Sequence, residues 1–175
     1  QRRDRTPSSL ASAGETRDTL TCAHDFADAD GDEDGSTIAW TLEDVLVGTT
    51  STIAGDFVHD DEVTCTVTPH DGIDAGEPVS ASITIDNTPP VLTGVVRSPD
   101  PAYEADTLVC APDETTDVDG TSSFSNSYSW TVNGTDTGTS DPTLTGDYFD
   151  RGDEVICTIT PGDYTDYGDP VDSNA

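Results

Sequence analysis

Asp61-Glu-Val-Thr-Cys65-Thr-Val-Thr-Pro69 and Asp153-Glu-Val-Ile-Cys157-Thr-Ile-Thr-Pro161 are almost the same nine residues, 92 positions apart. In each, apolar side chains fall on every second position: Val63, Cys65 and Val67, then Val155, Cys157 and Ile159. Successive side chains of a strand point to opposite faces, so this period predicts a strand with one buried face. The intervening threonines suit the outer face, where a β-branched side chain fits the pleat. Ile83 and Ile85 extend the same alternation further along.

Other anchors repeat with these two. Asp18-Thr-Leu-Thr-Cys22 returns as Asp106-Thr-Leu-Val-Cys110, and Trp40 returns as Trp130. The offset grows from 88 at the first cysteine to 90 at the tryptophan and 92 at the second cysteine. Fixed anchors with lengthening segments between them are how loops vary between copies of one fold. Asn133-Gly134, just after Trp130, is a strong two-residue hairpin turn, and no amphipathic helix of useful length is present. The expected fold class is all-β in two copies: residues 1–86, a proline-containing linker at 87–90, and residues 91–175.

Composition sharpens the question of how such a chain folds. Its 175 residues hold 36 acidic side chains against 6 arginines and no lysine, a formal net charge of −30. Of the acids, 28 are aspartate. Leu, Ile, Val and Phe number only 32, which with this charge lies in the range of disordered proteins. The field excludes nucleic acid, whose phosphates need basic side chains, and anionic lipid surfaces. No apolar run approaches the roughly 18 residues of a bilayer span, so membrane insertion is not expected. Cations are the natural partner.

The four cysteines fall two per copy, 43 and 47 residues apart, at inward-facing strand positions. A metal site would bring closer pairs or nearby histidines. Disulfides Cys22–Cys65 and Cys110–Cys157 are therefore the preferred reading over free buried thiols. On the chain-entropy account each contributes about 4 kcal/mol, and such bonds place the protein outside a reducing cytosol.

Cysteine on one strand, tryptophan on the next and cysteine on a later strand resemble the immunoglobulin-like sandwich, where the tryptophan packs on an inter-sheet disulfide. The pattern covers nearly the whole chain. It is also similar to the tandem Ig-like, PKD-like and cadherin-like repeats of very large prokaryotic surface or filament proteins. The resemblance implies two tandem Ig-like β-sandwich domains, each with one inter-sheet disulfide. It departs from the antibody pattern at Val63 and Val155, where a tyrosine often stands two residues before the second cysteine.

The densest acid lies between the first cysteine and the tryptophan of each copy. Copy one carries Asp25, Asp28, Asp30, Asp32 and Asp34, and copy two carries Asp113, Asp117 and Asp119. Alternating aspartates before a glycine put several carboxylates around one turn, where they repel unless a cation is held, and Ca²⁺ takes six to eight such oxygens. Asp30, Asp32, Asp34 and Gly35 match the opening of an EF-hand loop, but Thr41 stands where its closing glutamate belongs and the flanks are strands. The competing reading is a solvated acidic surface of the salt-adapted kind.

The resemblance to Ig topology adds a geometric expectation. The linker Ile85-Asp86-Asn87-Thr88-Pro89-Pro90 leaves copy one among Glu15, Asp18, Asp60, Asp61 and Glu62. It meets copy two beside Asp113, Asp117, Asp119 and Asp163. It resembles the acidic linkers of cadherin repeats, which implies Ca²⁺ at the junction on Asp86, Asn87 and nearby loop acids; a plain turn is the alternative. Asp25–Asp34 with Asp71 at one end, and Asp150, Asp153 and Glu154 at the other, would repeat that junction in a head-to-tail linear array of copies or flanking repeats. Copy two breaks off at Pro170–Ala175, before the counterpart of its last apolar strand. Copy one starts with Gln1-Arg-Arg-Asp-Arg, lacking the apolar first strand seen at Val91–Leu92 to Val95–Val96, and Gln1–Gly14 makes a poor donor strand. A segment of a longer repeating polypeptide is expected, ahead of a subunit completed by its neighbours.

An enzyme is not expected. His24, His59 and His70 all lie in copy one with no positioned nucleophile beside them, and no phosphate-cradling or Gly-x-Ser-x-Gly motif occurs. The expected role is a structural repeat module of an extracellular filament, stalk or surface layer, stiffened by Ca²⁺. The alternative is a surface-displayed adhesin or carbohydrate-binding module, for which Tyr164 and Tyr167 are the clustered aromatic candidates.

Overall fold

The computed structural model describes residues 19–174, together with the backbone of residues 7–10 and 14–15. The chain divides into two compact units, Gln1–Asn87 and Thr88–Ala175. Among the described residues both are built of strands and connecting turns, with one short 3₁₀ turn at Gly146–Tyr148.

Unit 1 comprises β1 (Pro7–Leu10), β2 (Gly14–Glu15), β3 (Thr19–His24), β4 (Thr37–Leu42), β5 (Val45–Gly48), β6 (Thr52–Ala54), β7 (Glu62–Thr68) and β8 (Val79–Asp86). These form a three-stranded sheet in the order β1-β3-β6 and a five-stranded sheet in the order β2-β8-β7-β4-β5. The alternation read from the sequence is the burial pattern of β7: Val63, Cys65 and Val67 are buried while the threonines between them stand half out. Leu20 and Cys22 of the first sheet share one core with Trp40, Val63, Cys65 and Ile85 of the second. The outer threonines pair across strands, Thr64 with Ser82 and Thr66 with Ser80, each hydroxyl pair at 2.7 Å.

Unit 2 comprises β9 (Val91–Leu92), β10 (Val95–Ser98), β11 (Thr107–Pro112), β12 (Thr115–Thr116), β13 (Ser127–Val132), β14 (Thr135–Asp136), β15 (Thr143–Thr145), β16 (Val155–Thr160) and β17 (Val171–Asp172). Its sheets run β10-β11-β15 and β14-β13-β16-β17, with β9 and β12 as a separate pair. Leu108, Cys110, Trp130, Val155, Cys157 and Ile159 lie at the centre of its core.

Both disulfides form, Cys22–Cys65 and Cys110–Cys157, each with Cα atoms 6.2 Å apart and each tying one sheet to the other. Free thiols are thereby excluded, and bonds of this kind belong to an oxidising environment. Each tryptophan is fully buried and pairs with a bonded cysteine across the strand, Trp40 with Cys65 and Trp130 with Cys157. A buried indole N–H needs an acceptor. Trp40 finds the Thr50 carbonyl and Trp130 the Asp141 carbonyl, both at 2.9 Å.

One expectation is corrected. Copy one does not lack a first strand: Pro7–Leu10 pairs antiparallel with β3, and Gly14–Glu15 pairs parallel with β8. Strand pairing runs through main-chain N–H and C=O groups, which every non-proline residue supplies, so the polar composition of that stretch concealed it. The Asn133-Gly134 turn is present with both residues at positive φ, and unit 1 makes the equivalent turn with Glu43 and Asp44. Among the described residues, no helix is long and apolar enough to cross a membrane.

Candidate cation-binding loops

The acidic loops are built the same way in both units. Asp28 Oδ1 accepts the Asp30 amide at 2.8 Å, and Asp117 Oδ1 accepts the Asp119 amide at 2.7 Å. Each turn closes on a glycine, Gly31 or Gly120, at φ +85°. Asp71 Oδ1 accepts the amides of Ile73 and Asp74, and Asp163 Oδ1 those of Thr165 and Asp166. A third motif is reciprocal: Asp61 accepts the Val58 amide and Asp153 accepts the Asp150 amide, while each aspartate's own N–H donates back. Asp106 does the same with Tyr103.

These bonds explain why the acid of this chain is mostly aspartate. A carboxylate one methylene from the backbone reaches an amide two or three residues away and mimics a backbone turn; glutamate is too long to do so comfortably. Much of the negative charge therefore caps loops rather than pointing at a common ion.

The remaining candidates are dispersed. Asp25, Asp30 and Asp32 stand exposed in the first acidic loop, and Asp86 is exposed on β8. Asp34 accepts the Ser36 amide at 2.9 Å and faces His24 Nε2 at 3.1 Å. Burial alone would raise its carboxyl, but hydrogen bonds from Ser36 and the His24 contact outweigh this and hold it below the ordinary value. The Glu62 amide donates to Glu43, the Glu154 amide donates to Asn133, and the Asp113 amide donates to the Gly94 carbonyl. Hydrogen bonds from the Asp150 amide and the Asn133 side chain hold Asp153 below the usual carboxylate range. Asn87 is half-buried at the boundary of unit 1. Glu15 is seen only as backbone, paired with Asp86, and Asp18 lies outside the described residues.

One group in unit 2 differs from the rest. The Thr88 amide donates to Asp119 Oδ2 at 2.7 Å, joining the residue after the unit boundary to the acidic loop. Asp163 is buried at 7% exposure. Asp117 Oδ2 is shielded from solvent and has no hydrogen-bond partner. Burial pushes the Asp117 carboxyl above the ordinary value, the charges of Asp119 and Asp163 push it the same way, and only the Asp119 amide opposes them.

Two further buried oxygens, Thr88 Oγ1 and Asn126 Oδ1, also have no hydrogen-bond partner. Asn126 follows Ser125, whose amide donates to the carbonyl of Gly162, next to Asp163. Neither residue carries a signal in the sequence, because what buries it comes from distant loops. Among the described residues, no group of three or more His, Cys, Asp or Glu converges closely enough to hold a metal ion.

The aromatic candidates are in place and have company. Tyr164 and Tyr167 are 75% and 64% exposed, and Tyr103 and Tyr148 are exposed as well. No protein-family model matches the chain, and no curated protein is significantly similar to it.

Proposed function

We propose that this chain is a structural repeat module of an extracellular, calcium-stabilised filament, stalk or surface layer, made of two immunoglobulin-like sandwiches. The fold reading is supported by a repeated constellation: a disulfide between sheets, a buried tryptophan opposite one of its cysteines, and a short hairpin after that strand. In unit 1 the parallel pairing of β2 with β8 adds to it.

The observation that carries the calcium reading is the Asp117 carboxylate. One of its oxygens is out of water and without a donor, in the field of Asp119 and Asp163. A carboxylate in that position is costly without a positive charge. Calcium accepts irregular sets of carboxylate, carbonyl and water oxygens; Asp117 would be its anchor, with main-chain carbonyls and water completing the shell and Asp119 and Asp163 adding negative field. Asp28, Asp30 and Asp71 repeat these positions in unit 1 with Asp30 exposed, so a weaker site is expected there. Ions at the ends of successive units would stiffen a head-to-tail array of copies or flanking repeats.

Thermal melting in Ca²⁺, in EDTA and in high NaCl tests this reading. A rise in Tm with millimolar Ca²⁺ that EDTA reverses and NaCl does not reproduce supports it. Equal rises in Ca²⁺ and NaCl would leave only the solvated acidic surface.

One observation favours a second reading, a surface-displayed adhesin or carbohydrate-binding module. Tyr164 adopts φ +76° where the equivalent position of unit 1 is Gly72 at φ +90°. A bulky residue in that region is strained, and strain kept at an exposed aromatic is typical of binding loops. Saturable glycan binding that disappears in Tyr164→Gly would put this role first.

A further inference from the structure

β5 ends the sheet β2-β8-β7-β4-β5 on one side, so one of its edges has no neighbouring strand. Its residues Val45, Leu46 and Val47 are 65%, 61% and 44% exposed, and no other three consecutive large hydrophobics among the described residues are exposed. The turn before β5 fixes which main-chain groups face outward. Glu43 and Asp44 form it with both φ positive, and Leu42 and Val45 flank it as partners. In a two-residue hairpin the flanking pair is hydrogen-bonded and the next pair is not. The next pair is Thr41 with Leu46, so the Leu46 N–H and C=O point away from β4, toward the open edge. An unpaired edge of this kind is a template for another strand.

The internal repeat supplies a comparison. In unit 2 the same hairpin turn is Asn133-Gly134, and Asp136 of β14 pairs with Thr131 where Leu46 of β5 pairs with Thr41. Thr135, Asp136 and Thr137 thus take the places of Val45, Leu46 and Val47. Asp136 is exposed and accepts the Gly138 amide at 2.8 Å. A charge on an edge is one of the devices that keep edges from pairing; unit 2 has it and unit 1 does not. The hairpin therefore forms without aliphatic side chains at this place.

Charge decides what can lie against the edge. The chain carries a net charge of −30, yet β4 and β5 contain no charged residue. The nearest acids along the chain are Glu43 and Asp44 in the turn, and Glu43 is engaged by the Glu62 amide at 3.1 Å. An edge without charge offers a basic segment nothing to pair with. Its complement is another uncharged apolar edge, and β5 of a second copy is one. Laid antiparallel about Leu46, two copies place Val45 opposite Val47, Asp44 opposite Gly48 and Glu43 opposite Thr49. No acid meets an acid, and the two Leu46 residues exchange both main-chain hydrogen bonds on the two-fold axis.

We propose that β5 is a self-association edge, through which two copies of this chain pair antiparallel, side by side, into one continuous sheet. Val47 is an extra residue between the Thr41–Leu46 and Trp40–Gly48 pairs, and such a bulge bends the strand. The pairing is thereby confined to the residues around Leu46, so the dimer is weak and reversible. The contact is two-fold, unlike a head-to-tail array, and needs no calcium.

Sedimentation equilibrium of the full chain in EDTA tests this, at rising protein concentration in low and in high NaCl. EDTA keeps ion-linked association out of the measurement, so the outcome is separate from that of the calcium reading. The weight-average mass should climb from the monomer's 18.4 kDa toward twice that value. It should do so at lower protein concentration in high NaCl, which screens the repulsion between acidic copies. Leu46→Asp, which installs the residue that unit 2 carries, should stay monomeric with unchanged melting. Hydrogen exchange at Leu46 should slow with concentration in the parent chain. A parent chain that stays monomeric, a mass that grows beyond the dimer, a dimer that survives Leu46→Asp, or a dimer that leaves exchange at Leu46 unchanged would overturn the proposal.

Discussion

Asn133 Nδ2 donates to Asp153 Oδ1 at 2.7 Å, and its own amide oxygen accepts the Glu154 amide at 3.1 Å. One side chain in a hairpin turn thus clamps the start of β16, the strand that pairs with β13. Unit 1 does this differently, with Glu43 of its own hairpin turn accepting the Glu62 amide at 3.1 Å.

The clamp sets a pH dependence. Asp153 and Asp34 both titrate below the ordinary carboxylate value in the fold. Their contribution is present above the value of the unfolded chain and is lost as pH falls through the lower folded value. Asn133→Ala and Asp153→Asn should each weaken acid resistance of unit 2, shifting the acid-unfolding midpoint upward. The check is tryptophan fluorescence followed from pH 5 downward.

Asp117 has the opposite sign. Its folded value is raised, so in calcium-free buffer its charge opposes folding at neutral pH. Stability is gained as pH falls through the raised value, where the fold takes up a proton that the unfolded chain does not yet bind. Asp117→Asn should raise the Tm of unit 2 in EDTA, flatten that limb of the pH profile and abolish the response of unit 2 to Ca²⁺. Calorimetry of both proteins, with and without the ion, checks all three.

Removal of one crosslink should be felt mainly in its own unit. Cys22→Ala with Cys65→Ala should cost unit 1 about 4 kcal/mol, the loop-closure value for a crosslink of this span. Urea unfolding, read through Trp40 in a Trp130→Phe background, measures it.

Backbone strain gives the last prediction. Tyr164→Gly should stabilise unit 2 by about 1 kcal/mol, because glycine adopts φ +76° without the steric cost. Asp44→Gly, at φ +67° in the hairpin of unit 1, should gain a similar amount. Paired melts of each variant against the parent chain decide both.

The strands and both disulfides were legible because each rests on the spacing of apolar residues and cysteines along the chain. Val63, Cys65 and Val67 alternate with threonine whatever lies around them, and burial of one face follows from the pleat. The tryptophans could be assigned to the core because they repeat in phase with the cysteines. Polar strands without that alternation, such as Pro7–Leu10, were not legible, since main-chain pairing leaves no mark on side-chain type.

The acids divide along the same line. The sequence by itself determined that they cluster between particular strands and that aspartate dominates. Only the tertiary structure decided what each oxygen meets. Asp28, Asp61, Asp71 and Asp153 turn to nearby amides, whereas Asp117 Oδ2 is sealed off within a group that Thr88 and Asp163 approach from distant parts of the chain. Turn bonds depend on residues two or three apart and can be read from a string. Desolvation depends on which loops cover an atom, and chain order does not state that.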